Sequence, residues 1–110
     1  MKTLKYIISA IILFIGVQTF GQTAATKTET FKVYGNCGSC KTRIEKAAKA
    51  DGVTKADWDK TTKMMVVTFD PSKITSDNIQ KKIAAVGHDT EKYKADDKVY
   101  AALPACCQYR

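Results

Sequence analysis

Hydrophobic and polar residues alternate along three stretches of the chain, and this two-residue period predicts three β-strands. The stretches are 30–34, 53–58 and 63–69. Phe31 and Val33 face inward in the first strand. Residues 59–62 form a turn, so the second and third strands are expected to pair as a hairpin. Pro71 ends the third strand, because proline cannot donate a hydrogen bond to a neighbouring strand.

A helical period of apolar residues appears in two other stretches, 40–50 and 76–86. Asp51-Gly52 stops the first helix, and Ser76 is the expected N-cap of the second. Gly87 follows the second helix, where a left-handed C-terminal cap is expected. The apolar positions of the two helices are Ile44, Ala47, Ala48, Ile79, Ile83 and Val86.

The end of the chain predicts two further elements, a short fourth strand over 90–93 and a weak helix over 95–103. The resulting order is strand, helix, strand, strand, helix, strand. This is the order of a ferredoxin-like βαββαβ sandwich, an α+β fold in which two helices cover one face of an antiparallel sheet.

The first residues are typical of a secretory signal peptide. Lys2 and Lys5 precede an apolar run, 6–17, that is shorter than the roughly 20 residues needed to cross a membrane. Small residues predict cleavage near Gly21-Gln22, which gives a periplasmic or secreted protein with no membrane span after cleavage. The predicted organisation is a signal peptide, a flexible leader, one domain and a cysteine-containing tail, over 1–21, 22–28, 29–94 and 95–110.

Length and charge exclude several classes of function. A chain of 110 residues forms one small domain, so we exclude an enzyme with an interdomain cleft and expect a monomer. The net charge of +7 comes from lysines scattered through every element, which indicates a solvated surface rather than a nucleic-acid groove. No Ser-His-Asp triad, paired-carboxylate site or phosphate-binding loop is present, so we expect no enzymatic activity.

Cys37-Gly38-Ser39-Cys40 places two thiols at a strand-to-helix junction. The second thiol lies in the first helical turn, where unpaired N–H groups stabilise a thiolate. Two such sulfurs bind soft ions such as Cu(I) or Zn(II) in preference to Mg²⁺ or Ca²⁺, and Lys41 is expected to offset their charge. The same pair is also typical of a redox-active dithiol, or of a disulfide staple in a small secreted domain.

A strand, a CxxC loop and a helix in βαββαβ order, with Gly87-His88-Asp89-Thr90 after the second helix, resemble the heavy-metal-associated domain over about residues 30–94. That family includes copper chaperones, amino-terminal modules of metal-pumping ATPases and periplasmic mercury-binding proteins. The resemblance implies that Cys37 and Cys40 are metal ligands and that Gly87-His88 lies beside the metal loop.

Two positions depart from the family pattern. Gly35 stands where a methionine usually packs beneath the metal loop, and Asn36 stands where Thr, His or Asp is common. An aspartate there would favour Zn(II), whereas Asn36 offers only a neutral oxygen. Cu(I) is therefore the first choice of ion, with Zn(II) or Hg(II) as alternatives.

Three further residues are candidates for the site. His88 is either a surface or capping residue, or a third ligand or proton partner beside the dithiol. Cys106 and Cys107 are extra thiolate ligands, disulfide partners of the CxxC loop, or a separate reactive tail. Leu103-Pro104 before them supplies an apolar anchor and a rigid turn.

These features together predict an exported protein that captures a thiophilic ion and passes it on by exchange of thiolate ligands. The expected partner is a metal-transporting membrane protein or a cuproprotein. The basic surface of this protein is expected to steer it to an acidic face on that partner. The alternative function is that of a periplasmic thiol-disulfide oxidoreductase. The order of elements disfavours it, because a thioredoxin-like fold places its dithiol after a βαβ opening.

Overall fold

The computed structural model describes residues 25–110, so the predicted signal peptide lies outside the described residues. Three strands, three helices and one turn of 3₁₀ helix make up this part of the chain. In chain order they are β1 (Lys27–Lys32), α1 (Gly38–Ala48), β2 (Val53–Trp58), β3 (Met64–Phe69), α2 (Ser76–Ala85), α3 (Asp97–Ala101) and the 3₁₀ turn (Ala105–Cys107).

The strands form an antiparallel sheet in the order β1-β3-β2. Met65 at the centre pairs with Phe31 on one side and with Trp58 on the other. All three side chains are buried, because the two-residue period places them on the same face of the sheet. The predicted hairpin of the second and third strands is confirmed.

Both long helices cover that buried face. Ile44 of α1 and Ile79 and Ile83 of α2 are fully buried in one core cluster with the inward residues of the sheet. The alternate residues of β3 remain partly exposed on the other face. The predicted α+β sandwich is therefore confirmed, with a three-stranded sheet. Among residues 25–110, no helix combines the length and apolar character that crossing a membrane requires.

The expected fourth strand over 90–93 is wrong. Thr90 makes a single bridge to Val33, and the chain then turns back on itself. The amide of Thr90 donates to the carbonyl of Tyr93 at 2.7 Å, and the amide of Tyr93 donates to the Thr90 hydroxyl at 3.0 Å. These local bonds form a turn over 90–93, so pairing with β1 ends at the amide of Glu91, which donates to the carbonyl of Lys32 at 2.9 Å.

Several element boundaries differ from the prediction. β1 begins at Lys27, so two residues assigned to the leader pair with β3. α1 begins two residues earlier than expected, with Cys37 as its N-cap. Ser76 is the first residue of α2, and its N-cap is Thr75, whose hydroxyl accepts a hydrogen bond from the amide of Asn78 at 3.2 Å.

The C-terminal tail packs on the domain through Leu103, which is 7% exposed and belongs to the core cluster. Gly87 has a φ of +107°, and a Cβ at this position would lie 2.9 Å from Leu103 Cδ2. Glycine therefore provides both the left-handed turn after α2 and the space for the leucine. The predicted anchor at Leu103 is confirmed.

Candidate metal centre

Three cysteine sulfurs meet at the start of α1. The Sγ atom of Cys37 lies 3.3 Å from that of Cys40 and 3.5 Å from that of Cys107. All three Sγ atoms lie within 4.8 Å of one another. All four cysteines of the chain are free thiols in this structure.

The two loop cysteines are positioned by the first turn of α1. Cys37 is the N-cap residue, in an extended conformation with φ −139° and ψ 178°, and its carbonyl accepts the helical hydrogen bond from Lys41. Cys40 follows in the first turn and is fully buried, whereas Cys37 remains partly exposed. The site therefore has one sulfur that solvent reaches and one that the core holds.

The third sulfur comes from the tail. Cys107 ends the 3₁₀ turn and is fully buried, and its amide donates to the carbonyl of Pro104 at 2.8 Å. The Nδ2 atom of Asn36 donates to the carbonyl of Gln108 at 3.0 Å and joins the tail to the CxxC loop. Of the three alternatives for Cys107, its position beside the loop sulfurs disfavours a separate reactive tail.

Cys106 occupies a different position from its neighbour. Its side chain is exposed, and its Sγ atom lies 3.9 Å from that of Cys107 and 3.5 Å from the Ser39 hydroxyl. It stays outside the group of three sulfurs, because successive residues of the turn point in different directions.

The two loop thiols differ in pKa because their surroundings differ. Hydrogen bonds from the Ser39 hydroxyl and the backbone of Cys40 lower the pKa of Cys37 to about 6. Burial raises the pKa of Cys40 to about 11. Cys37 is therefore the first of the two to become a thiolate, which is the form that binds metals and attacks other sulfurs.

Arg43 supplies positive charge to the site. Its Nη1 atom donates to the Sγ atom of Cys107 at 3.2 Å. Burial acts to raise the pKa of Cys107, but hydrogen bonds from Cys40, Ser39 and Arg43 outweigh it, so the pKa is lowered. Arg43 was not among the site residues predicted from the sequence, although its position three residues after Cys40 places it near that cysteine on the helix.

Lys41 does not serve as the counter-charge that the sequence analysis expects. Its Nζ atom bonds Glu45 at 2.6 Å, Asp57 at 2.9 Å and the carbonyl of Trp58 at 2.7 Å. These partners occupy the three donors of the ammonium group and hold it against β2.

His88 is fully buried and lies outside the group of three sulfurs. Its Nδ1 atom lies 2.8 Å from the carbonyl of Tyr34, and its ring stacks on Tyr109 with 5.5 Å between centroids. A carbonyl only accepts, so Nδ1 carries the proton and the ring is a neutral donor. Burial lowers the pKa of His88, which keeps it neutral. Its Nε2 atom has no hydrogen-bond partner among residues 25–110.

Trp58 packs against Gly35 beneath the CxxC loop. A Cβ on Gly35 would lie 3.1 Å from the Trp58 ring and 3.2 Å from both Cys40 Cβ and Ile44 Cδ1. The indole is fixed by its Nε1 atom, which donates to the carbonyl of Val33 at 2.9 Å. Glycine at position 35 therefore leaves the indole the space that a side chain would fill.

A small α+β sandwich that gathers thiols at a strand-to-helix loop defines a class of protein built to hold soft metal ions. The model of one family, the heavy-metal-associated domain, matches residues 30–89. The chain belongs to this family.

Two relatives illustrate its range. The mercuric transport protein periplasmic component of Shewanella putrefaciens is 42% identical over 68% of this chain and 79% of the relative. A copper-exporting P-type ATPase of Staphylococcus saprophyticus is 31% identical over 71% of this chain. The match covers only 10% of the ATPase, so this chain corresponds to one small part of it.

Solved structures give the same result. Oxidized MerP from Ralstonia metallidurans CH34 superposes with a TM-score of 0.57 at 36% identity, over 61% of this chain and 96% of that one. The CopZ metallochaperone superposes with a TM-score of 0.56 at 33% identity, over 58% of this chain and 98% of that one. The ferredoxin-like fold of these metal-binding proteins is therefore shared.

Proposed function

We propose that this protein captures a thiophilic ion, Cu(I) in our assignment, between Cys37 and Cys40 and hands it to a second protein. The observation that carries the proposal is the 3.3 Å separation of two free sulfurs at the start of α1, one partly exposed and one buried. Two thiolates at that spacing converge on one soft ion, and the N-terminus of the helix offsets part of their negative charge.

Handover follows from the unequal exposure of the two sulfurs. Cys37, at the surface, is the ligand that an incoming thiolate replaces first, while buried Cys40 holds the ion until the second bond forms. The structure therefore supports stepwise ligand exchange between proteins rather than release of the ion into water.

The choice of ion rests on the donor atoms. The clustered metal-binding groups are all sulfurs, which favours Cu(I) over ions that take oxygen ligands. Asn36 adds no charged oxygen, and its amide nitrogen is engaged with the tail. Hg(II) is the second candidate, because a relative that spans most of this domain is a mercuric transport protein.

Export and the identity of the partner belong to the same proposal. A signal-like stretch precedes the domain, and a relative is named as a periplasmic component, so we assign this protein to the periplasm or to secretion. Mass spectrometry of the protein purified from its host tests this assignment, with a mature N-terminus at Gln22 expected. The ATPase relative supports a metal-transporting membrane protein as the partner.

Anaerobic titration of the reduced mature protein with Cu(I), against a chromophoric chelator, tests the proposal. The wild type is expected to bind one equivalent tightly, and Cys37→Ser/Cys40→Ser to lose that binding. Cys106→Ser serves as the matched control, because it removes a thiol from outside the cluster. A parallel titration with Hg(II) ranks the two ions. Unchanged Cu(I) and Hg(II) binding in the double variant would remove the basis of the proposal.

The oxidoreductase alternative makes a different prediction from the same samples. It requires Cys37 and Cys40 to form a reversible disulfide that oxidises or reduces substrate proteins, with weak metal binding. The relatives named above are metal-binding and transport proteins and give this alternative no support. An oxidised pair that accelerates disulfide exchange in a model substrate, without tight metal binding, would favour it.

A further inference from the structure

We propose that Cys107 is a third sulfur ligand of the ion, so that the C-terminal tail completes the site and closes it on one side. This inference rests on the function proposed above and adds to it a ligand from outside the CxxC loop. The ligand class is a soft ion bound in a plane by three thiolates.

The sulfur positions suit such an ion. Metal–thiolate bonds of about 2.3 Å, arranged as a flat triangle, place sulfurs about 4 Å apart. The three Sγ atoms lie within 4.8 Å of one another, and Cys37 is 3.3 Å from Cys40 and 3.5 Å from Cys107. Side-chain movements of a few tenths of an ångström are enough to bring all three into contact with one ion.

The fold holds Cys107 at this point independently of any ion. Leu103 packs closely against Gly87, and the hydroxyl of Tyr109 donates to the carbonyl of Gly87 at 2.8 Å. Asn36 bonds the carbonyl of Gln108. The turn between these fixed points carries Cys107 into the cluster, so little conformational entropy is lost when the ion binds.

Charge also favours a third thiolate. Three thiolates and one Cu(I) carry an excess of negative charge that a buried site does not tolerate alone. The Arg43 guanidinium lies 3.2 Å from Cys107 Sγ, and the N-terminus of α1 faces the same sulfurs. The positive charge therefore lies nearest the tail sulfur, where a third thiolate would add to the negative charge of the site.

Cys106 provides the control that the test needs. It is chemically identical to Cys107 and adjacent in sequence, but it is exposed and outside the group of three sulfurs. Any general effect of removing a tail thiol, such as lost oxidation or lost non-specific binding, affects both variants equally.

X-ray absorption spectroscopy of the reduced mature protein, loaded with less than one equivalent of Cu(I), counts the sulfurs around the ion. Three sulfurs are expected for the wild type and Cys106→Ser, and two for Cys107→Ser. Since losing even an outer-shell partner costs about tenfold or more, Cys107→Ser is expected to weaken Cu(I) binding by at least about tenfold. Cys106→Ser is expected to leave the affinity unchanged.

Two or four sulfurs in the wild type would overturn the inference, as would equal affinities of the two single variants. The wild-type count does not depend on how well a variant folds, and thermal unfolding of metal-free Cys107→Ser checks its fold. Failure here leaves the proposed function intact if Cys37→Ser/Cys40→Ser still abolishes binding. If that double variant binds normally, the proposed function itself fails.

Discussion

At the scale of single residues, the two loop thiols differ in acidity because one is solvated and hydrogen-bonded and the other is buried. The pKa of Cys37 is lowered to about 6 and that of Cys40 is raised to about 11. Under the proposed function, metal capture at neutral pH is therefore expected to begin at Cys37, and Cys40 to lose its proton only as the ion approaches.

This difference predicts the order of alkylation in the reduced, metal-free protein. Iodoacetamide at about pH 7 is expected to modify Cys37 first, with a rate that rises through about pH 6 and then levels off. Cys106 is exposed; the Ser39 hydroxyl acts to lower its pKa, but the sulfurs of Cys37 and Cys107, together with desolvation, raise it overall. Peptide mass spectrometry over a pH series makes the measurement. Ser39→Ala is expected to move the Cys37 profile to higher pH, and faster labelling of Cys40 would contradict the assignment.

His88 predicts a loss of stability in mild acid. Its pKa is lowered in the folded protein, so the unfolded chain binds the proton more readily. The stability it contributes is present above its unfolded pKa of about 6.5 and is lost as pH falls from there towards the folded pKa, by at most about 1.4 kcal/mol per pH unit. Chemical denaturation of the wild type and of His88→Asn between about pH 5 and pH 7 tests this. The difference between the two proteins cancels the titration of the thiols, and a difference independent of pH would refute the assignment.

The sequence predicts Cys37 and Cys40 as candidate ligands because their chemistry and spacing are local. The position of Cys107 could not be derived in the same way, since it depends on how seventy residues fold before the tail returns, here 3.5 Å from Cys37. The hydrogen bond of Arg43 to Cys107 and the stacking of buried His88 on Tyr109 depend on the same return of the tail to the domain. Residue type and spacing therefore predict the candidate residues, and only the tertiary structure shows which of them are in contact.

At the scale of elements, the junction between β1 and α1 depends on Gly35 leaving space for Trp58. Gly35→Ala is expected to lower the free energy of unfolding by about 1–3 kcal/mol, because its Cβ would press on three packed side chains at 3.1–3.2 Å. Gly38→Ala is the matched control, since a Cβ there meets no atom within 4 Å. Equal stabilities of the two variants, measured by urea denaturation, would show that the loop is less tightly packed than described.

The tail is held by the hydroxyl of Tyr109, which donates to the carbonyl of Gly87 and accepts from the amide of Asp89 at 2.6 Å. Tyr109→Phe leaves that partly buried amide without the hydroxyl that accepts from it, while keeping the ring stacked on His88. A loss of about 1–3 kcal/mol is expected. Tyr34→Phe, at an exposed aromatic residue, is expected to change stability by less than about 0.5 kcal/mol. Thermal unfolding of both variants measures the two stability losses. Equal losses would show that the tail is not docked on the domain.

Elements with a clear period were predictable, and those without one were not. The strands and both long helices follow from apolar spacing, because burial against one core imposes that spacing. The segment 90–93 has the composition of a strand, but its threonine bonds locally to Tyr93 and leaves one bridge. Helix starts shifted by one or two residues: the Thr75 hydroxyl caps α2 in place of Ser76, and α1 begins directly after Cys37, which makes no side-chain capping bond.

At the scale of the whole molecule, a basic sandwich presents its thiols at one corner. The chain carries 18 lysines and arginines against 11 acidic residues, which favours approach to an acidic surface on a partner. The site combines a partly exposed sulfur with two buried ones, and under the proposed function this arrangement holds an ion while leaving it open to attack by another thiolate. Capture and handover thus depend on the same corner of the fold.

The rate of handover tests this account most directly. The reduced protein, loaded with one equivalent of Cu(I), is mixed anaerobically with increasing concentrations of a metal-free CxxC domain, and transfer is followed by separating the two proteins after quenching. The account predicts a transfer rate that rises in proportion to acceptor concentration, because the acceptor thiolate attacks before the ion leaves. A rate independent of acceptor concentration, set by spontaneous release of the ion, would contradict it.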